Sequence, residues 1–181
     1  MADADSLDTI TLRDRALLAD TVREAGALAL SMFRTELKNW TKGASSPVSE
    51  ADIRVNDLLE SRLRAATPDY GWLSEESVDD EARLEKRLTW IVDPIDGTVN
   101  FLYGLPHYAV SIAVVEGEPD PQTWTALAGC VVNPASGETF TASAGGGAFL
   151  GDQPIRVAEP VPLAEALVGT GFAYDSAVRG E

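Results

Sequence analysis

"WIVDPIDGTVNF", residues 90–101, decides the reading of this chain. Its apolar start, Trp90, Ile91 and Val92, has the composition of a buried strand. The run stops at Asp93 and Asp96, with Pro94 between them and Gly97 and Thr98 behind. Pro94 restricts one backbone angle and Gly97 permits positive ones, so the stretch reads as a tight turn at a strand end. Such a turn can aim Asp93, Asp96 and the carbonyl of Ile95 at one point. Hard oxygens converging from a rigid loop suit Mg²⁺. Thr98 and Asn100 add a hydroxyl and an amide, and a helix starting there would offer N–H groups to an anion beside the cation. The same residues also fit an Asx-type turn that caps a helix, both carboxylates then serving only backbone donors. Calcium fits less well, because the spacing is not that of an EF-hand loop.

Charge narrows the partners. The chain has 181 residues, 45% of them apolar, enough for one sizeable core or one domain with part of another. Its 14 basic residues face 29 acidic ones, a net charge of −15. Nucleic acid is a poor partner for that surface, because binding it relies on Lys and Arg neutralising phosphates. A soluble cytoplasmic protein near divalent cations fits better, although acidic surfaces also serve solubility alone. The single Cys130 excludes an intrachain disulfide and suits a reducing compartment. On its apolar run it reads as a small core residue. One histidine, His107, cannot build a His-rich zinc site and reads as structural. No apolar run approaches the ~20 residues of a membrane helix, and the acidic start is not a signal peptide.

Organisation divides near residue 88. Residues 10–37 read as an amphipathic helix with Leu18, Val22, Ala25, Ala29 and Met32 on its apolar stripe. A linker, "NWTKGASSP", leads to a second helix from Ser49, striped by Val55, Leu59, Leu63 and Ala66 and ended by Pro68. Residues 70–75 suit a short strand, and the acidic residues 76–87 suit a solvated, mobile connector. Strand-like runs then follow in "LTWIV", "YAVSIAVV", "WTALAGCVVNP", "GETFTASA" and "GAFLGDQPIRV", separated by turn signals. Helices first and strands afterwards imply an α+β domain, an antiparallel sheet with helices on one face. Gly145, Gly146 and Gly147 lack the lysine and helix of a phosphate loop, so a hairpin is expected there. The run "LAEALVGTGF" could open another layer.

Two further acidic stretches precede the first. "WLSEES", residues 72–77, places paired carboxylates after an apolar run, as either ligands or solvated surface. In "SPVSEAD", residues 46–52, Ser49 and Asp52 have capping-box spacing, which alone accounts for both.

"SPVSEAD", "LSEES" and "WIVDPIDGTVNF", in that order, resemble the three successive motifs of the inositol monophosphatase family, Mg²⁺-dependent and lithium-sensitive phosphatases within the fructose-bisphosphatase superfamily. "NPASGETFTASAGGGAFLGDQPIRV" is also similar to the family's strands beyond the site. The resemblance implies a layered αβαβα sandwich whose C-terminal α/β part is missing here. Residues 1–158 would form the metal-binding α+β domain, and 159–181 would begin a truncated α/β domain. The family's Trp-Asp motif, which completes the second metal site, is matched by none of Trp40, Trp72, Trp90 and Trp124.

Residue by residue, the resemblance makes Glu75 a ligand of the first Mg²⁺, assisted by the Ile95 carbonyl. Asp93 bridges two metals and Asp96 binds the second. Gly97 and Thr98 hold the substrate phosphate through backbone N–H groups. The Thr98 hydroxyl, paired with Asp52, helps activate the attacking water, so Asp52, Thr98 and Glu75 form the catalytic set. Glu76 stands behind the ligands, and Lys42 loosely matches a lysine near the site. The implied activity is hydrolysis of a small polyol- or sugar-phosphate such as inositol 1-phosphate. Histidinol-phosphate, fructose-1,6-bisphosphate and 3′-phosphonucleotides are the alternative substrates, and an inactive metal-binding or interaction module is the alternative role. The resemblance also implies a homodimer.

Overall fold

The computed structural model describes residues 7–43, 46–117 and 123–169, with side chains from Arg15 onward. Helix α1, Leu7–Met32, buries Leu18, Val22, Ala25, Ala29 and Met32, the stripe read from spacing. It stops five residues before the expected end. Phe33 and Thr35 turn back onto the carbonyls of Leu30 and Met32, and Arg34 takes a φ of 59°, which closes the helix. The expected linker is instead an antiparallel hairpin, β1 (Asn39–Lys42) with β2 (Ser46–Ser49). Pro47 is tolerated because this ribbon has only two strands, both of them edges.

Helix α2, Glu50–Ala66, starts where the capping residue placed it and buries Val55, Leu59 and Leu63. Ala66, expected on the same stripe, is exposed, and the next residue Thr67 is buried in its place. Thr67 ends the helix and donates from its hydroxyl to the Leu63 carbonyl at 2.7 Å. Arg62 pairs with Glu24 across the two helices.

Seven strands follow in sequence order across one sheet: β3 (Gly71–Ser74), β4 (Leu88–Asp96), β5 (Ala109–Glu116), β6 (Thr125–Asn133), β7 (Glu138–Ser143), β8 (Gly147–Leu150) and β9 (Gln153–Ile155). All neighbours are antiparallel except β3 and β4, which run parallel because the connector 75–87 crosses over between them. That connector is more ordered than its charge suggested. Residues Glu81–Glu85 form a 3-10 turn capped by Asp80, and Arg83 holds Asp79 through two contacts of 2.6 and 2.8 Å. Gly71 lets it approach, since a Cβ there would stand 2.9 Å from that of Arg83. The glycine cluster forms the β7–β8 turn, as expected. Beyond β9 the residues 156–169 are mostly exposed and contain only a 3-10 turn at Leu163–Glu165, so "LAEALVGTGF" opens no layer up to residue 169. Its last residues lie outside the described ones.

Both helices pack on one face of the sheet, α1 across β5–β7 and α2 against β4. That face carries Trp90, Val92, Val110, Ile112, Val114, Ala128, Cys130 and Val132, all buried. Burial pushes the Cys130 thiol up to about 11. Cys130 is therefore expected to resist iodoacetamide at pH 8 in the native chain and to react once urea unfolds it. Mass spectrometry before and after unfolding checks this; native labelling at the rate of a free thiol would contradict the packing.

Candidate active site

The turn expected at Asp93–Gly97 is a bulged strand end. Asp93 pairs with Ser111 and Asp96 with Ala109, so β4 fits one more residue than β5 across this interval. Pro94 has no N–H for the ladder, which is the local reason the register slips. The bulge turns Pro94 and Ile95 into the interior and leaves Asp96 exposed. Gly97 then adopts a φ of 90°, and a Cβ there would lie 2.9 Å from the His107 carbonyl. Both facts require glycine. A five-residue helix, α3 (Thr98–Leu102), follows. It is seated by an aromatic cluster of Phe33, Phe101 and Tyr108, with centroids 4.8–5.5 Å apart. Arg34 adds two guanidinium contacts to the Gly104 carbonyl, at 3.0 and 3.2 Å.

A cleft of about 230 Å³ opens over this bulge, lined by Glu75, Asp93, Ile95, Asp96, Gly97 and Thr98, with Ser46, Pro47 and Val99. Six of the residues assigned by resemblance thus meet at one surface. Asp52, also assigned by resemblance, lies just behind it, fully buried at the first turn of α2. Its two carboxylate oxygens divide their work. Oδ2 accepts from the Ser49 amide at 2.9 Å and the Ser49 hydroxyl at 2.5 Å, completing the capping box. Oδ1 accepts from the Thr98 hydroxyl at 2.8 Å. Capping and the link to the site are therefore one arrangement. The Thr98 hydroxyl also lies 3.0 Å from the Ile95 carbonyl, so its single proton is shared between two acceptors. Replacing Asp52 by alanine is expected to lower the unfolding free energy by about 2–3 kcal/mol, for the lost cap and the orphaned hydroxyls. Thr98→Val, which keeps the cap, should cost less than half of that in the same urea titration.

Asp93 is the most perturbed acid of the cleft. Its carboxyl is pushed up to about 8, first by burial, then by the charge and hydrogen bond of Glu75, then by Asp96 and Asp52. Its Oδ1 is buried without any hydrogen-bond partner. Crowded acids with an orphaned inward oxygen are what a bound cation would satisfy. Among the described residues no three His, Cys, Asp or Glu side chains converge on one point by themselves. The donor set is instead a Glu75–Asp93 carboxylate pair with the Ile95 carbonyl nearby, a hard-oxygen set that suits Mg²⁺ with waters completing the shell. Glu76 is largely covered, and burial raises its pKa against the pull of Lys42, whose Nζ lies 3.5 Å from it.

Asn100 does not reach the cleft as expected: its amide donates to the His107 carbonyl at 2.8 Å and so shapes the loop after α3. His107 contributes that backbone oxygen. Sequence reasoning passed over Asn56, Ser74 and Ser77, which hold the acidic turn from behind; the spacing of Asn56 four residues after Asp52 was the available signal.

The profile of the inositol monophosphatase family matches residues 13–180. An inositol-1-monophosphatase of Rhizobium meliloti is 42% identical over 135 residues, which are 74% of this chain and 47% of that protein. A histidinol-phosphatase of Chlorobaculum parvum is 37% identical over 147 residues, 80% of this chain and 53% of that one. Among solved structures, the extragenic suppressor protein suhB of Bartonella henselae superposes with a TM-score of 0.70 at 34% identity, covering 80% of this chain and 54% of that chain. The chain thus spans about half the length of the relatives it matches.

Proposed function

This chain belongs to the inositol monophosphatase family, and from that membership we propose that it carries the metal-binding half of a Mg²⁺-dependent phosphomonoesterase site. The observation that carries the reading is the buried, unpartnered Oδ1 of Asp93, a residue that lines one cleft together with Glu75, Ile95 and Asp96. In this reading Glu75, Asp93 and the Ile95 carbonyl would hold a first Mg²⁺, and Asp93 with Asp96 would contribute to holding a second. Bound there, Mg²⁺ supplies a Lewis acid for the phosphoryl oxygens and acidifies a water. The backbone N–H groups of Gly97 and Thr98, at the open start of α3, receive the phosphate oxygens. Thr98 Oγ1 would take a proton from the attacking water while its own proton moves toward Asp52 Oδ1, along the 2.8 Å hydrogen bond already in place. As the water oxygen bonds to phosphorus the ester P–O bond breaks, and the departing alkoxide takes a proton from solvent to leave as the alcohol. No side-chain nucleophile is needed, because phosphoryl transfer rests on positioning and charge neutralisation.

The substrate proposed is a small polyol- or sugar-phosphate such as inositol 1-phosphate, with histidinol-phosphate second because one relative bears that name. The net charge of −15 favours a partner other than nucleic acid. Lithium sensitivity, a cytoplasmic location and a homodimer belong to the same proposal. So does a division into a metal-binding domain of residues 1–158 and the start of an α/β domain at 159–181, supported by the exposure of residues 156–169. No helix among the described residues is long and apolar enough to cross a membrane. Phosphate release from inositol 1-phosphate and from histidinol phosphate, with and without Mg²⁺, tests the reading. Turnover that ignores Mg²⁺ and chelators would remove it. Saturable Mg²⁺ binding without any turnover would instead support the alternative of a metal-binding or interaction module.

A further inference from the structure

A buried polar cluster joins α2 to the acidic turn, and none of its side chains has a role in the chemistry above. Asn56 lies within α2, nearly as buried as Asp52 one turn earlier. Both ends of its amide are engaged. Oδ1 accepts from the Ser74 hydroxyl at 2.7 Å, and Nδ2 donates to the Ser77 hydroxyl at 3.1 Å. Ser77 Oγ also accepts from the indole N–H of Trp72 at 3.1 Å. Ser74 Oγ accepts from the backbone N–H of Glu76 at 3.3 Å, and the Ser77 amide reaches the Ser74 carbonyl at 3.4 Å. The turn 74–77 is thus tied to the helix at both ends, and Glu75 and Glu76 lie between the ties.

Glu75 is itself exposed and sits beside Asp93, so its position depends on the turn that carries it. Positions four apart on a helix share a face, so a single face of α2 holds Thr98 through Asp52 and the Glu75 turn through Asn56. We infer that Asn56 is a positioning residue, which fixes the Glu75 turn against Asp93 and thereby sets the affinity of the site for a divalent cation. This rests on the metal-site reading above. Partners behind metal ligands typically change affinity by about 10–100-fold when removed.

The experiment is calorimetric titration of the 181-residue chain with Mn²⁺, at a temperature where circular dichroism shows every variant folded. Asn56→Ala is expected to weaken Mn²⁺ binding about tenfold. Ser74→Ala, which removes a smaller part of the cluster, should weaken it in the same direction. The double variant should lose less than the sum, because both changes cut the same tie. Val114→Ala, in the core of β5, should lower the melting temperature with the Mn²⁺ affinity unchanged. In the metal-free chain, the Glu76 amide should exchange hydrogen faster in Asn56→Ala than in the parent. A lowered melting temperature with undiminished affinity in both Asn56→Ala and Ser74→Ala overturns the inference while leaving the site reading intact. If the parent chain itself takes up no Mn²⁺, the site reading falls and this inference with it.

Discussion

Asp93→Asn is expected to abolish the response of this chain to Mg²⁺ and, in the same protein, to raise its melting temperature when no metal is present. The two effects have one origin. Asp93 occupies the last regular pair of β4 before the bulge, with its Oδ1 buried and unpartnered and Glu75 against it. Its carboxyl is raised from the ordinary range near 4 to about 8, so ionisation is opposed by the fold. For a raised carboxyl, the stabilising contribution is full below the unfolded pKa and is lost as pH rises through the folded one. Metal-free stability is therefore expected to fall between about pH 4 and pH 8. The neutral amide of the variant does not ionise and escapes that loss. The gain should amount to a few degrees, at roughly 2–4 °C per kcal/mol for a chain of this size. Binding linkage gives the opposite pattern with Mg²⁺, which stabilises only a chain that binds it. Calorimetric scans of both proteins with and without Mg²⁺ decide the matter. An equal Mg²⁺ shift in parent and variant would remove Asp93 from the metal set. Metal-dependent phosphate release, where the parent shows it, should vanish in the variant.

Trp90→Ala should be the most destabilising single change in the described residues, costing about 3–5 kcal/mol. Trp90 is 1% exposed in the first half of β4, paired with Trp72 on one side and Val114 on the other. Its indole N–H donates to the Thr67 hydroxyl at 2.8 Å, and its ring packs on Tyr70 at 5.5 Å. One side chain therefore fastens the end of α2 to the strand that carries Asp93. Loss of that volume leaves a cavity next to both layers, and the cost is a large share of the roughly 5–15 kcal/mol that hold a typical domain together. Trp90→Phe keeps most of the burial and gives up the hydrogen bond, so about 1–2 kcal/mol is expected. Urea denaturation of the two variants separates packing from hydrogen bonding. A Trp90→Phe loss equal to the alanine loss would assign the effect to the Thr67 contact.

Much of the architecture was legible because local chemistry and global burial agree. The spacing of Leu18, Val22, Ala25 and Ala29 marks the buried face of α1 whatever it packs against. Ser49 and Asp52 mark the start of α2 because a capping box is satisfied within four residues. Turn residues separate the strands of β5–β9 for equally local reasons. The legible errors also have local causes. A helix pattern carries no sign that Arg34 will close α1 early, and Ala66 fits the stripe by spacing although the helix ends there. The connector 76–87 looked solvated because the Arg83–Asp79 pair and the close approach to Gly71 depend on a partner strand.

The order of the acidic motifs carried the resemblance to the family, and the resemblance assigned the candidate ligands; residue type alone left capping and solvated-surface readings open. What the motifs could not contain is the geometry between segments. That Asp52 caps α2 with one oxygen and holds Thr98 with the other requires α2 and β4 to pack together. That Asn100 serves the loop and Asn56 serves the acidic turn follows from the bulge in β4 and the face of α2 that meets it. The sequence determined which groups are available and which elements carry them. Only the tertiary structure decided which oxygens remain without partners, because that depends on contacts between residues dozens of positions apart.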